Sequence, residues 1–115
     1  MILYDNKVMN DTKGKTDNLN VTVLSDSIKF YLPRVEGYLE VVHEMASQYN
    51  ALSLIEFDGY FEGKFEPVKY TRAEIHTNDI DEERMIKYAN KIRLKLRQKS
   101  LALEYNNHLI LISED

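Results

Sequence analysis

Three histidines and a group of carboxylates are the residues whose chemistry could support catalysis or metal binding. His43, His76 and His108 fall in no HxxxH, HxH or HExxH spacing, and a metal site needs several ligands converging at about 2 Å from the ion. The chain also has no cysteine, which excludes disulfides, zinc ribbons and thiolate chemistry. The sequence therefore predicts neither a metal site nor a bound cofactor.

The carboxylates Glu56, Asp58, Glu62 and Glu66 cluster around the predicted central hairpin. Paired carboxylates do general acid–base work only when they are held close together and partly buried, and carboxylates in a turn are usually solvated. The glycines of the chain are scattered singly, so the sequence has neither a phosphate-binding loop nor a nucleophile elbow. On these patterns no catalytic residue is predicted.

Charge is segregated along the chain, whose formal net charge is −4. The segment from Arg84 to Lys99 contains seven basic residues and no acidic one, whereas Glu36, Glu40 and Glu44 form an i, i+4 stripe upstream. If both segments are helices on one face of a sheet, the stripes face each other as exposed ion pairs, which stabilise little. The alternatives are a basic helix that binds phosphate or an acidic partner, and an acidic remainder that competes for a basic groove on another protein.

Two sets of side chains are therefore candidates for binding. The charged set comprises Lys87, Lys91, Lys95, Glu36, Glu40 and Glu44. The aromatic set, Tyr60, Phe61 and Phe65, lies in the segment over residues 58–67, which is predicted to be a loop or a wide hairpin. Aromatic side chains there can anchor a partner or fold back over the sheet edge. Direct binding of nucleic acid is not expected, because the chain is acidic overall and no aromatic residue interleaves with the cations on the exposed side of the basic helix.

The elements that position these residues are predicted from hydrophobic periodicity and turn chemistry. Residues 1–20 are expected to be a flexible or strand-forming N-terminal segment, and residues 21–115 a single domain. The patterns predict, in order, a strand over 21–24, a helix over 34–49, strands over 51–57 and 68–76, a helix over 81–98 capped by Asp79, and strands over 101–105 and 108–112. This order predicts an α+β fold in which two helices cover one face of an antiparallel sheet, a ferredoxin-like core with an extra C-terminal strand.

The C-terminal stretch LALEYNNHLILI, residues 101–112, predicts a hairpin that is apolar on both faces. Its central Asn-Asn pair tolerates the positive φ of a two-residue turn. The helices can bury one face, whereas Leu109 and Leu111 fall on the other face beside Ala102. Because soluble monomers tend not to expose such a patch, we expect these three residues to form a homodimer interface, the alternative being that residues 1–20 cover them.

The junction RQKSLALEYNNHLILI resembles a pattern in a group of small, functionally uncharacterised proteins of phages and bacteria. In that group a helix ends in a Gln-Glu-Ser-Val motif, and a strand that carries a Glu and a closing hairpin follow it. Those places are occupied here by Gln98, Ser100, Leu101 and Glu104, with Lys99 in place of the acidic residue. A glycine followed by aromatics, with Glu66 before the next strand, is similar as well. The resemblance implies an origin in a phage or mobile element, and it implies no particular activity.

The sequence has no basic N-terminal region followed by an apolar stretch, and no apolar run approaches the length of about 20 residues that spans a bilayer. A cytoplasmic protein without membrane contact is therefore expected. In the absence of a catalytic signature, the favoured interpretation is a non-enzymatic small binding protein encoded by a phage or mobile element. Its expected partner is a host protein or nucleoprotein complex, for example a defence nuclease that it inhibits in the manner of an anti-CRISPR protein.

Two alternatives to this interpretation remain open. The first is a homodimeric protein that binds a nucleotide or another small ligand, with the helix cations and the loop aromatics as its contacts. The second is a small enzyme with an unorthodox site of histidine and carboxylate groups.

Overall fold

The structure is a computed structural model that describes residues 18–114. Within these residues, five strands and two helices follow one another in the predicted order. Their bounds are β1 Asp26–Pro33, α1 Tyr38–Gln48, β2 Leu52–Phe61, β3 Lys64–Thr77, α2 Glu82–Lys95, β4 Ser100–Tyr105 and β5 His108–Ser113. Most of the predicted N-terminal segment, residues 1–17, lies outside the described residues.

The described strands form one antiparallel sheet in the order β2-β3-β1-β4-β5. Both helices pack on the same face, where one hydrophobic core joins residues of β1, β3 and β4 to residues of α1 and α2. The order β2-β3-β1-β4 is that of a ferredoxin-like core, and the last hairpin adds β5 at one edge. The predicted fold class is therefore confirmed.

The first strand lies further along the chain than the pattern predicts. Residues 21–24 belong to no strand or helix, and β1 occupies the segment that we expected to be a crossover. Ile28, Phe30 and Leu32 alternate along β1 and are fully buried. The period-two pattern of these larger side chains, rather than the β-branched run before it, decides where the strand forms.

Helix α1 begins four residues later than predicted. Gly37 precedes its first residue with φ of 92°, a left-handed conformation that glycine adopts without strain and that separates the helix from the end of β1. Val35 and Leu39, both predicted to point inward, are 43% and 67% exposed, whereas Val41 is buried. The apolar stripe of α1 is therefore rotated relative to the prediction.

Helix α2 is capped by Asp81 and not by the predicted Asp79. The Asp81 carboxylate accepts a hydrogen bond from the Arg84 backbone N–H at 3.3 Å, whereas Asp79 has φ of 56°, which is not the conformation of an N-cap. The inward residues are buried as predicted: Met85, Ala89, Ile92 and Leu96. Among the described residues, neither helix has the length and apolar content needed to cross a membrane.

The C-terminal hairpin has the predicted turn and register. Asn106 and Asn107 have φ values of 47° and 71°, and Tyr105 pairs with His108 across them. Positive φ at both turn residues matches the right-handed twist of the flanking strands.

Residues 58–67, predicted to be a loop or a wide hairpin, form the far end of a hairpin with a two-residue turn. The turn consists of Glu62 and Gly63, with φ values of 51° and 79°. Pairing between β2 and β3 continues towards this turn through an irregularity between Phe57 and Gly59. Because a bulge of this kind re-registers a ladder without ending it, the glycine and charges of this segment do not mark a wide loop.

The second face of the sheet has a polar centre. Lys29 Nζ lies 3.6 Å from Glu104 Oε2, and Arg72 Nε lies 2.8 Å from Glu74 Oε1 at an angle outside that of a hydrogen bond. Burial, and then a hydrogen bond to Glu104, raise the pKa of Tyr31 on the same face. This face is therefore a charge-paired surface.

Candidate functional site

A cleft of about 390 Å³ opens where α1 ends and α2 begins. The connection between β3 and α2 contributes part of its lining. The polar side chains that the two helices and their ends contribute are Glu44, Gln48, Tyr49, Arg84, Tyr88 and Lys91. Its volume is in the range of sites for small molecules.

Helical spacing brings these groups to one place. Arg84, Tyr88 and Lys91 are separated by four and three residues, so they share one face of α2. Glu44 and Gln48 are separated by four residues on α1 and share the face that looks across the cleft. The end of α1 and the start of α2 therefore present polar side chains to the same cleft.

The hydroxyl of Tyr88 is the unusual group of the cleft. Its oxygen is buried and has no hydrogen-bond partner among the described residues. The ring packs edge-to-face on Phe30, with the centroids 5.9 Å apart. Burial, and to a lesser extent the nearby charge of Glu44 and the Tyr49 hydroxyl, raise the pKa of Tyr88 far above its usual value. The hydroxyl is therefore a protonated donor with no acceptor, which a buried polar group seldom is.

Glu44 lies at the centre of the polar groups on the α1 side. Its Oε1 accepts a hydrogen bond from Gln48 Nε2 at 3.3 Å and lies 3.9 Å from Lys91 Nζ. Burial raises the pKa of Tyr49, and the positive charge of Arg84 partly opposes this rise. The long Glu44–Lys91 separation leaves both groups free to turn towards a ligand.

Charges of both signs line the cleft, and the acidic groups exceed the basic ones by one. The acidic groups are Glu44, Asp79 and Asp81, and the basic groups are Arg84 and Lys91. The site is therefore suited to a small molecule that carries charges of both signs and is positive overall.

The two charged stripes meet as the spacing predicts. Lys95 Nζ lies 2.8 Å from Glu40 Oε2, and this hydrogen bond holds the pKa of Glu40 below its usual range. Lys87 pairs instead with Glu83 on its own helix at 3.3 Å. Glu36 precedes α1 and has no ion pair within the described residues. Of the charged candidates, the structure brings Glu44 and Lys91 into the cleft, and a binding role for the others stays a prediction.

The aromatic candidates lie away from the cleft, near the tip of the β2–β3 hairpin. Tyr60 is 77% exposed and Phe65 is 52% exposed, and their rings lie 5.2 Å apart. Phe61 belongs to the same hairpin. Tyr60 and Phe65 face each other across the two strands. The part of all three aromatic residues in binding stays a prediction.

The histidines contribute nothing to the cleft. His43 and His108 are exposed and His76 is half-buried, and none of the three is among the lining residues. In the part of the chain that the structure describes, no group of three His, Asp or Glu side chains is placed to hold a metal ion.

The sequence matches no protein-family model and no curated protein. Two solved structures share its fold. Both are of a phage SAM lyase. The lyase in complex with S-methyl-5′-thioadenosine superposes with a TM-score of 0.60 at 11% identity, over 84% of this chain and 95% of the lyase chain. The apo lyase superposes with a TM-score of 0.56 at 12% identity, over 78% of this chain and 90% of the lyase chain.

This comparison corrects the function expected from sequence. The two structures that share the fold are of an enzyme, so the prediction of a non-enzymatic binding protein is wrong. The narrower predictions, an inhibitor and an anti-defence protein, are wrong with it. The polar groups of the cleft are dispersed over two helices and a connection, so no sequence motif contains them. Tyr88 was assigned to the core from its helical spacing, and only its unpartnered hydroxyl distinguishes it from a core residue.

Proposed function

We propose that this chain is an enzyme that cleaves S-adenosylmethionine (SAM) without water, and that the cleft between α1 and α2 holds the substrate. One observation carries the proposal: charges of both signs line a cleft to which Tyr88 also contributes, and the Tyr88 hydroxyl is buried with no partner among the described residues. The shared fold supports the reaction class, since the lyase structures align with most of this chain.

The charges of SAM complement those of the cleft. At neutral pH the molecule has a carboxylate, an ammonium and a sulfonium group, so it is positive overall, and the cleft has an excess of one acidic group. Arg84 suits the carboxylate, because a guanidinium donates charge-assisted hydrogen bonds to carboxylate oxygens. Glu44 suits the ammonium group. The hydroxyl of Tyr88 donates to a ribose or carboxylate oxygen and so gains its missing acceptor.

The sulfonium group requires a different environment from the other two charges. A cation held against an aromatic face is stabilised without a hydrogen bond, and Tyr49 and Tyr88 supply aromatic rings in the lining. Both rings belong to a partly buried region, so they shield the sulfur from water.

The reaction breaks the bond between sulfur and the aminobutyrate chain of SAM. The electron pair of that bond moves to sulfur, which leaves as the neutral thioether of S-methyl-5′-thioadenosine. The substrate's own carboxylate oxygen attacks the carbon and closes a five-membered lactone, which balances atoms and charge. Because a positive and a negative charge disappear together, partial shielding of the sulfur by the two rings favours the transition state over the charged substrate. In this arrangement Arg84 holds one carboxylate oxygen while the other attacks.

The first test is an assay of the purified protein with SAM, followed by chromatography and mass spectrometry. We expect S-methyl-5′-thioadenosine and the lactone in equal amounts. Tyr88→Phe removes one hydrogen bond to the substrate, which is worth about 1 kcal/mol, so kcat/KM falls about fivefold. Tyr31→Phe is the matched control: its hydroxyl lies on the other face of the sheet, and the activity stays unchanged.

A second pair of variants separates the cleft from the helix–helix contact. Glu44→Gln removes the charge proposed to bind the ammonium group, whereas Glu40→Gln removes the charge one turn earlier, which pairs with Lys95 outside the cleft. We expect KM to rise in Glu44→Gln alone. A folded protein that forms no S-methyl-5′-thioadenosine contradicts the proposed activity, and equal effects of the two Gln variants contradict the proposed site.

A further inference from the structure

Strand β5 forms one edge of the sheet, and its composition suits it to pairing with another strand. It pairs with β4 on one side, and no described residue pairs with its other side. Its sequence, HLILIS, contains no proline and none of the residues Lys, Arg, Asp and Glu. Proline and charge are the devices that protect an edge strand from pairing, so β5 is an unprotected edge within the described residues.

The register of the hairpin shows which backbone groups of β5 are free. Tyr105 and His108 close a two-residue turn, and such a pair exchanges both of its hydrogen bonds. Hydrogen-bonded pairs alternate along an antiparallel ladder. Leu109 and Leu111 therefore direct their N–H and C=O groups away from β4.

The same two residues carry the exposed side chains. Leu109 is 62% exposed and Leu111 is 68% exposed. They point to the face of the sheet away from the helices, since their neighbours Ile110 and Ile112 pack against the core. Backbone groups and apolar side chains thus lie at the same edge.

We infer that β5 is the interface of a homodimer in which two copies of this strand pair antiparallel about a two-fold axis at Ile110. Leu109 of one copy then lies opposite Leu111 of the other, and each such pair exchanges both of its backbone hydrogen bonds. The leucines of both copies form one apolar patch across the joined sheets. An isologous contact of this kind closes at two copies.

Charge favours a second copy of this chain over a charged partner. The chain has a formal net charge of −4, so two copies repel each other least where they meet at an uncharged surface, and β5 contains no Lys, Arg, Asp or Glu. The nearest charges on the same face are already paired, as Lys29 and Glu104 are at 3.6 Å. Joining two sheets at β5 therefore keeps the Lys29–Glu104 pair together. A buried charge that lost its partner would be destabilising.

The test measures the mass of the full-length protein by sedimentation velocity over a range of micromolar concentrations. We expect twice the monomer mass at the upper end of the range. Leu111→Lys places a charge on the outer edge of β5 and gives a monomer with an unchanged circular dichroism spectrum. Leu54→Lys is the matched control, because Leu54 is 48% exposed on β2, the opposite edge of the sheet, and this variant stays a dimer.

Three results overturn the inference: a monomer at every concentration, a trimer, or a dimer that survives Leu111→Lys. Hydrogen exchange of the wild type gives a readout that needs no variant. In the dimer, protection of the Leu109 and Leu111 amides increases with protein concentration. Protection that does not depend on concentration shows instead that another segment of the same chain covers this edge, and it also overturns the inference.

Discussion

Tyr88 differs from the other core residues of α2 by a single polar atom. Its ring contributes to the core through the edge-to-face contact with Phe30, and phenylalanine would supply that ring equally well. The hydroxyl adds a buried donor with no acceptor among the described residues, which destabilises the free protein by about 1 to 3 kcal/mol. A group that destabilises the fold is expected where the function requires it.

The pH dependence of stability follows from the raised pKa of Tyr88, whose main cause is burial. In the unfolded chain a tyrosine loses its proton at a pH of about 10, whereas folded Tyr88 keeps its proton there. The folded state then binds more protons than the unfolded state, so the free energy of unfolding is largest below pH 10 and falls as the pH rises further. Tyr88→Phe is expected to flatten this alkaline fall, as measured by thermal unfolding between about pH 8 and pH 11.

The control for this measurement is Tyr60→Phe, because the Tyr60 side chain is 77% exposed. That variant is expected to follow the wild type at every pH. If Tyr88→Phe also follows the wild type, then the hydroxyl of Tyr88 is exposed to solvent and the account of the cleft fails.

At the scale of elements, the C-terminal turn has two similar residues with different tasks. The side-chain Oδ1 of Asn106 accepts a hydrogen bond from the Ser27 N–H at 2.9 Å, and its Nδ2 donates to Asp26 Oδ1 at 3.1 Å. Asn107 has the larger positive φ, 71°, and no side-chain hydrogen bond within the described residues. Asn106 therefore ties the hairpin to β1, whereas Asn107 supplies only backbone conformation.

Glycine substitutions separate the two tasks. Asn106→Gly loses both side-chain hydrogen bonds and is expected to lower the free energy of unfolding by about 1 to 2 kcal/mol. Asn107→Gly suits the turn as well as Asn does and is expected to change it by less than about 0.5 kcal/mol. Urea denaturation measures both. A greater loss in Asn107→Gly than in Asn106→Gly would show that turn conformation, and not the tie to β1, holds the hairpin.

Periodicity predicted the elements where the local pattern and the tertiary burial agree. The core stripe of α2 and the register of the last hairpin are of this kind. The pattern failed at residues 21–24, because a short β-branched run competes with the larger alternating side chains of β1. At the β2–β3 hairpin the pattern left a loop and a wide hairpin open, because glycine and charge are compatible with both. In both places the packed sheet selects between two local signals, and a single sequence does not contain that choice.

The candidate site was less accessible to prediction than the fold. Glu44 and Lys91 were found as members of charged stripes, because i, i+4 spacing is visible in the sequence. Tyr49 and Arg84 were missed, since they belong to different elements and meet only when the end of α1 packs beside the start of α2. The convergence of these groups is a property of helix packing and not of any motif.

At the scale of the whole molecule, an acidic chain has a basic helix on the same face of the sheet as an acidic one. Ion pairs such as Glu40–Lys95 join the two helices along their exposed side, and exposed pairs of this kind contribute little to stability. Their arrangement leaves the excess acidic charge of the cleft at the end of the helix pair. The charge pattern therefore contributes little to the stability of the fold, and in the proposed function it selects the ligand.

Two analogues that do not undergo the cleavage test this selection. Sinefungin has an amine-bearing carbon where SAM has its methylsulfonium, so it keeps the positive charge, whereas S-adenosylhomocysteine has a neutral sulfur. One charge facing an excess carboxylate in a partly solvated cleft is worth about 1 kcal/mol, so sinefungin is expected to bind about fivefold more tightly than S-adenosylhomocysteine.

At a hundredfold excess over its dissociation constant, a ligand stabilises the folded state by about 2.7 kcal/mol, which raises Tm by several degrees in a domain of this size. Thermal unfolding with each analogue measures the difference, and added salt should narrow it because the cleft is open to solvent. Glu44→Gln should reduce the preference, because it removes the excess acidic charge of the cleft, and Glu40→Gln should retain it. Equal binding of the two analogues by the wild type would show that the cleft does not recognise the charge on sulfur.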